Sequence, residues 1–172
     1  MLKPIRSILF ATDLTPNCQQ ALDFTIAIAT RFHATIYMLY VMEKLPDQMI
    51  GRARSILGTH QWKNMVASHH MEAHKSLVGK QFTDTKIRDD VRNFCIQEGI
   101  DNETCDFESR EIIISDGEII DDILKSAEAN KCDLIVLGGH RNIFSQTSIG
   151  STVKGVLKHS KIPVTVVPSS VS

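Results

Sequence analysis

Short, uniformly apolar runs alternate along this chain with longer stretches whose apolar residues recur every three or four positions. Ser7-Ile-Leu-Phe-Ala11 stops at Thr12-Asp13, and Ala34-Thr-Ile-Tyr-Met-Leu-Tyr-Val41 is β-branched and aromatic. Glu111-Ile-Ile-Ile-Ser115, Asp133-Leu-Ile-Val-Leu-Gly138 and Ile162-Pro-Val-Thr-Val-Val167 follow. Each is too short and too evenly apolar for a half-exposed antiparallel strand. Such runs suit central parallel strands that are covered on both faces.

The intervening stretches read as helices. Between Pro16 and Phe32, Ala21, Thr25, Ile28 and Phe32 recur at helical spacing, with Leu22, Ile26 and Ala29 beside them. Ser115-Asp116 can cap a helix whose buried stripe is Ile119, Ile120, Ile123, Leu124 and Ala127. Ser151-Thr152 opens another, with Val153, Val156 and Leu157 turned inward. Strand–helix alternation with right-handed crossovers predicts a doubly wound α/β fold. The expectation is five parallel strands in the order 3-2-1-4-5, with helices on both faces in three layers.

The stretch between the second and third strands, about 45–100, is longer than a minimal crossover needs. Leu45-Pro46-Asp47 reads as loop. Trp62, Val66, His69, Ala73 and Leu77 form one helical stripe, and Ile87, Val91, Phe94 and Cys95 form another. A long helix broken near Gly79 or Thr83-Asp84 is predicted there. With 172 residues, no repeat and no low-complexity segment, the whole chain reads as a single domain, 1–172.

Composition narrows the function. Hydrophobic residues are 42% and charged residues 23%, and the net charge of −1 gives no pull towards nucleic acid or anionic membrane. No apolar run approaches the ~20 residues that span a bilayer. The amino-terminal segment lacks the apolar core and cleavage site of a signal peptide. Cys18, Cys95, Cys105 and Cys132 are scattered without a C-x-x-C pair, as reduced thiols of a cytoplasmic protein would be.

Open parallel sheets bind ligands beyond the carboxyl ends of their strands, where strand order reverses. With the first strand central, Asp13 meets Gly138-Gly139-His140 at that edge. Asp13 can accept hydrogen bonds from a sugar hydroxyl or an amine, or can serve as a turn residue before Thr15-Pro16. Gly150-Ser151-Thr152 places glycine and two hydroxyls at a helix start. That is an anion site by its free N–H groups and dipole, or a simple N-cap.

From Leu134 to Val167 the sequence resembles the carboxyl-terminal third of universal stress proteins, whose signature is Gly-x2-Gly-x9-Gly-Ser/Thr. Ile8-Leu-Phe-Ala-Thr-Asp13, Leu39-Tyr-Val41 and Asp116-Gly117-Glu118 match other parts of that family in order. The resemblance implies the adenine nucleotide alpha hydrolase-like fold and ATP or AMP as ligand, with Mg2+ for a triphosphate. Carried over by position, Asp13 and Val41 face adenosine, and Gly138, Gly150, Ser151 and Thr152 face phosphates. His140 and Arg141 lie in the same loop. Two departures stand out. The signature's second glycine falls on Arg141, and the interval from Gly138 to Gly150 is one residue short. Arginine there either fills the pocket or lends charge to a phosphate. The resemblance also implies a homodimer through the last strand, around Val164 and Val166, which edge logic supports. Pro163 and Pro168 bound that run.

Other chemistries find little support. There is no phosphate-loop NTPase motif, no nucleophile elbow and no dinucleotide fingerprint. Ser151-x-x-Lys154 lacks the companion motifs of a serine acylase. His70 and His74 stand four apart and could share a metal on a helix, but no third ligand is evident, and a solvated face is the reading adopted. His69 sits on the apolar stripe and is expected to pack against the sheet. No catalytic residues are assigned. The expected activity is nucleotide binding or sensing in a stress response, with slow ATP hydrolysis at most; the alternative is a non-binding interaction protein of the same fold.

Overall fold

The structure, a computed structural model, describes residues 2–13, 18–43, 47–80, 93, 96–97, 99, 108–139 and 150–169. Five strands are seen: β1 (Ser7–Thr12), β2 (Thr35–Glu43), β3 (Glu108–Gly117), β4 (Leu134–Gly139) and β5 (Val164–Pro168). They form one parallel sheet in the order β3-β2-β1-β4-β5. Four helices are described: α1 (Gln19–Phe32), α2 (Asp47–Lys80), α3 (Ile119–Ala129) and α4 (Ser151–His159).

The period-two alternation of side chains sends each strand's apolar residues to both faces. Ile8, Phe10, Ile36, Met38, Leu134 and Val136 pack with Ala21, Leu22, Ile26 and Ala29 of α1. Leu9, Leu39, Ile135 and Leu137 meet Ile123 and Ala127 of α3 and Val153 and Val156 of α4 on the other face. Fully burying such side chains contributes about 1.5–3 kcal/mol each. The uniform apolar character of β1 and β4 therefore follows from having a helical layer on either side.

Local details differ from the expectations. Ser115 and Asp116 do not cap α3. They lie inside β3, paired with Val41 and Met42, because the ladder continues to Gly117 opposite Glu43. Glu118 is the N-cap instead. Phe32 and Leu157 face solvent at 52% and 45% exposure, since α1 and α4 each present a narrower buried stripe than their apolar content allows. Gly79 does not break α2. The interruption is at Gly58, whose φ of 76° is a left-handed conformation that glycine takes without a side-chain clash. Trp62 is buried as expected, but His69 is exposed rather than packed against the sheet. The second stripe, Ile87 to Cys95, and Thr83-Asp84 lie outside the described residues, as do the side chains of His70 and His74. Among the described residues no helix is long and apolar enough to cross a membrane, and no cluster of three metal-ligating side chains occurs.

Candidate functional site

The chain leaves β1 towards α1 on one face of the sheet. Beyond β4 the next described helix, α4, lies on the other face. Neighbouring strands whose following helices lie on opposite faces leave a crevice between their carboxyl ends. A cleft of about 290 Å3 lies there, lined by Ala11, Thr12, Asp13 and Cys18 from the β1 side and Leu137 and Gly138 from β4. Leu39 and Val41 of β2, Ile119 and Ile123 of α3, and Gly150 to Val153 at the start of α4 complete it.

Asp13, Val41, Gly138, Gly150, Ser151 and Thr152, which the sequence singles out, thus line one cleft despite lying far apart in the chain. His140 and Arg141 fall outside the described residues. Asp13 follows β1 directly and is exposed, so its carboxylate stands at the mouth.

The amino end of α4 is arranged for an acceptor. Gly150 is its N-cap, with φ −53° and ψ 152°, and among the described residues no side chain caps the helix. The first main-chain bond runs from the Lys154 N–H to the Gly150 carbonyl at 3.0 Å. The amides of Ser151, Thr152 and Val153 precede it and have no intrahelical acceptor. A Cβ built on Gly150 would meet nothing within 4 Å, so that position borders open space. Ser151 and Thr152 are the first residues of the helix rather than its cap, which removes the simple-cap reading of their hydroxyls.

Sequence reasoning missed Cys18 and the apolar lining. The Cys18 thiol donates to Asp13 Oδ1 at 3.1 Å. Burial pushes its pKa up, and the neighbouring Asp13 carboxylate adds to the rise, so the group remains a thiol donor rather than a thiolate. Its position at the amino end of α1, five residues after Asp13, was the available signal. Leu39, Leu137, Ile119, Ile123 and Val153 give the cleft an apolar floor, four of them also being core residues. Such a floor with a few polar groups at its rim is the usual make-up of a small-molecule site.

The Universal stress protein family matches residues 4–168. The chain belongs to that family. Solved structures of the same fold include the hypothetical protein MJ0577, with 22% identity and a TM-score of 0.67, over 99% of this chain and 100% of that one. UspA from Lactobacillus plantarum aligns over 96% of this chain and 99% of its own, with 22% identity and a TM-score of 0.58. A universal stress protein in complex with cAMP aligns over 98% and 100%, with 16% identity and a TM-score of 0.54. No curated protein matches. Family membership accounts for the ordered motifs, while the cleft's geometry is this universal stress protein's own.

Proposed function

We infer that this universal stress protein binds an adenine nucleotide in the cleft between β1 and β4 and acts in the cytoplasm by ligand-dependent contact with partners. The observation that carries the reading is the convergence of Asp13, Val41, Gly138 and the amino end of α4 on one cleft. Adenosine sits against the apolar floor, with Asp13 accepting from a sugar hydroxyl or the amine near Val41. The phosphates meet the first-turn amides and hydroxyls at Gly150, Ser151 and Thr152, helped by the positive end of the helix dipole. Gly138 allows close approach at the end of β4. His140 and Arg141 belong to the same loop by sequence. The protein with bound cAMP shares this fold, which is consistent with such a ligand. A triphosphate would bring Mg2+, for which Asp13 supplies the nearest carboxylate among the residues of the cleft.

Binding fits the cleft better than turnover. Among its described residues Asp13 and Cys18 are the titratable side chains, and burial holds Cys18 in the protonated form. Neither forms the acid–base pair that hydrolysis would use. The assembly in this reading is a homodimer through the edge strand β5. Isothermal titration with ATP, AMP and cAMP, with and without Mg2+, tests the function directly. Saturable binding of one protomer equivalent is expected, and no heat from any of the three would overturn it.

A further inference from the structure

A second cavity lies at the opposite edge of the sheet, where the chain enters β1, β4 and β5. Its volume is about 420 Å3, within the roughly 300–1,000 Å3 of small-molecule sites. Its floor is apolar: Leu124 and Ala127 of α3, Cys132, Ile135 and Ile162. Its rim is cationic. Lys3, Lys131 and Lys161 come from three separate segments, joined by His159, against the single carboxylate of Glu128.

The ordinary role of cations at this place is to satisfy the carboxyl ends of α3 and α4. Several of the last-turn carbonyls already have other donors. The carbonyls of Ser126, Ala127 and Glu128 accept from the N–H groups of Asn130, Cys132 and Lys131 at 3.1, 2.8 and 3.1 Å. The Asn130 side-chain amide adds a bond to the Ser126 carbonyl at 2.9 Å. The Val156 carbonyl accepts from the Ser160 N–H at 2.8 Å, and His159 Nδ1 donates to the Gly155 carbonyl at 2.9 Å. Lys3 is engaged with Asp133 at 2.9 Å. Lys131 and Lys161 make no ion pair among the described residues and are exposed at the rim.

The floor and rim together select for an anion with an apolar body. Cys132 adds no competing negative charge, because burial and the Asp133 carboxylate push its thiol up to about 12. We propose that this cavity is a second ligand site, taking a small monocarboxylate with an apolar tail, the tail on the half-buried Leu124 and Ile162 and the carboxylate between Lys131 and Lys161. It shares no lining residue with the nucleotide cleft, so the proposal stands apart from the nucleotide reading.

Octanoate is the probe, followed by methyl NMR of the full chain, with 1-octanol as the neutral control. The variant is Lys131→Asn with Lys161→Gln. Asparagine suits position 131, where φ is 50° and few residues other than glycine and asparagine sit without strain. Octanoate should move the Leu124 and Ile162 methyl signals saturably. Loss of two exposed charges should weaken it about fivefold, and 0.5 M salt should weaken it similarly in the unmodified protein. 1-Octanol should bind both proteins alike. The proposal is overturned if octanoate leaves those methyls unmoved at millimolar concentration, or binds the variant equally well. It is equally overturned if the shifts fall on Ile119 and Val153 in the cleft.

Discussion

Replacing Gly150 with valine separates phosphate binding from everything else the cleft does. The backbone there has φ −53° and ψ 152°, which any L-residue adopts, and a Cβ meets nothing within 4 Å. The substitution therefore meets neither clash nor backbone strain. Valine is a poorer N-cap than glycine, at a cost of about 0.5–1 kcal/mol. For a chain of this size that lowers Tm by about 1–4 °C, leaving the protein folded.

Binding should change far more. The isopropyl group would stand in front of the first-turn amides of Ser151, Thr152 and Val153. Losing two charge-assisted hydrogen bonds to a phosphate removes about 3–6 kcal/mol, each bond being worth about 1.5–3. Each 1.4 kcal/mol is about tenfold, so ATP affinity should fall at least a hundredfold. Adenosine, which has no phosphate, should lose less than about threefold. Titration calorimetry on both ligands, with circular dichroism as the folding control, reads the result. A folded Gly150→Val protein that binds ATP within threefold of the unmodified one would refute the phosphate assignment. An equal loss for ATP and adenosine would refute it too, since valine would then be closing the whole cleft.

Further outcomes follow from other places in the structure. Thr30 is fully buried in α1 with its hydroxyl unpartnered, so Thr30→Val should stabilise by about 1 kcal/mol and raise Tm by about 2–4 °C; an unchanged or lower Tm would contradict this. Asp133 accepts from the Arg6 and Ser7 amides at 3.0 and 3.2 Å and pairs with Lys3. Burial alone would raise its pKa, but Lys3 and those amides hold it below the ordinary carboxylate value. A depressed pKa contributes stability at neutral pH that is lost on acidification. The stability gap between the unmodified protein and Asp133→Asn, measured by urea unfolding, should therefore close below about pH 4. Arg141→Gly should tighten ATP binding by restoring the family's glycine, and a measured loss would instead assign the guanidinium to a phosphate. For the proposed dimer, the Pro163 carbonyl and the Ser169 amide both face β4, so by period two the outward donors of β5 are those of Val164 and Val166. Val166→Pro deletes an outward N–H while sparing the inner ladder, and light scattering should move from dimer towards monomer; a monomer mass for the unmodified protein at micromolar concentration would refute the dimer.

What was legible in the sequence follows from which forces act locally. The parallel α/β sheet could be read because β1 and β4 bury both faces, and that demand writes itself as unbroken apolar runs such as Ile8-Leu-Phe and Leu134-Ile-Val-Leu. The six cleft residues singled out and described could be read because strand ends and helix starts carry glycine, hydroxyl and carboxylate side chains for reasons of backbone geometry. The boundary of α3 could not. Ser115 is a good N-cap residue by propensity, yet β3 gains pairing with β2 through Gly117, and that tertiary ladder overrides the local preference. His69 shows the converse limit. A helical stripe predicts which residues align, but not how far along the helix burial extends. Trp62 is enclosed, while His69, seven positions on, is in solvent. Cys18 was hidden for a third reason. Cysteine packs well as a small apolar residue, so its identity alone points to a core thiol. Its thiol lies 3.1 Å from Asp13, and that contact exists in space rather than in any periodicity. The apolar floor was hidden in the same way. Leu39, Leu137 and Ile123 serve the core and the cleft at once, and no pattern along the chain distinguishes a core residue at the rim from one at the centre.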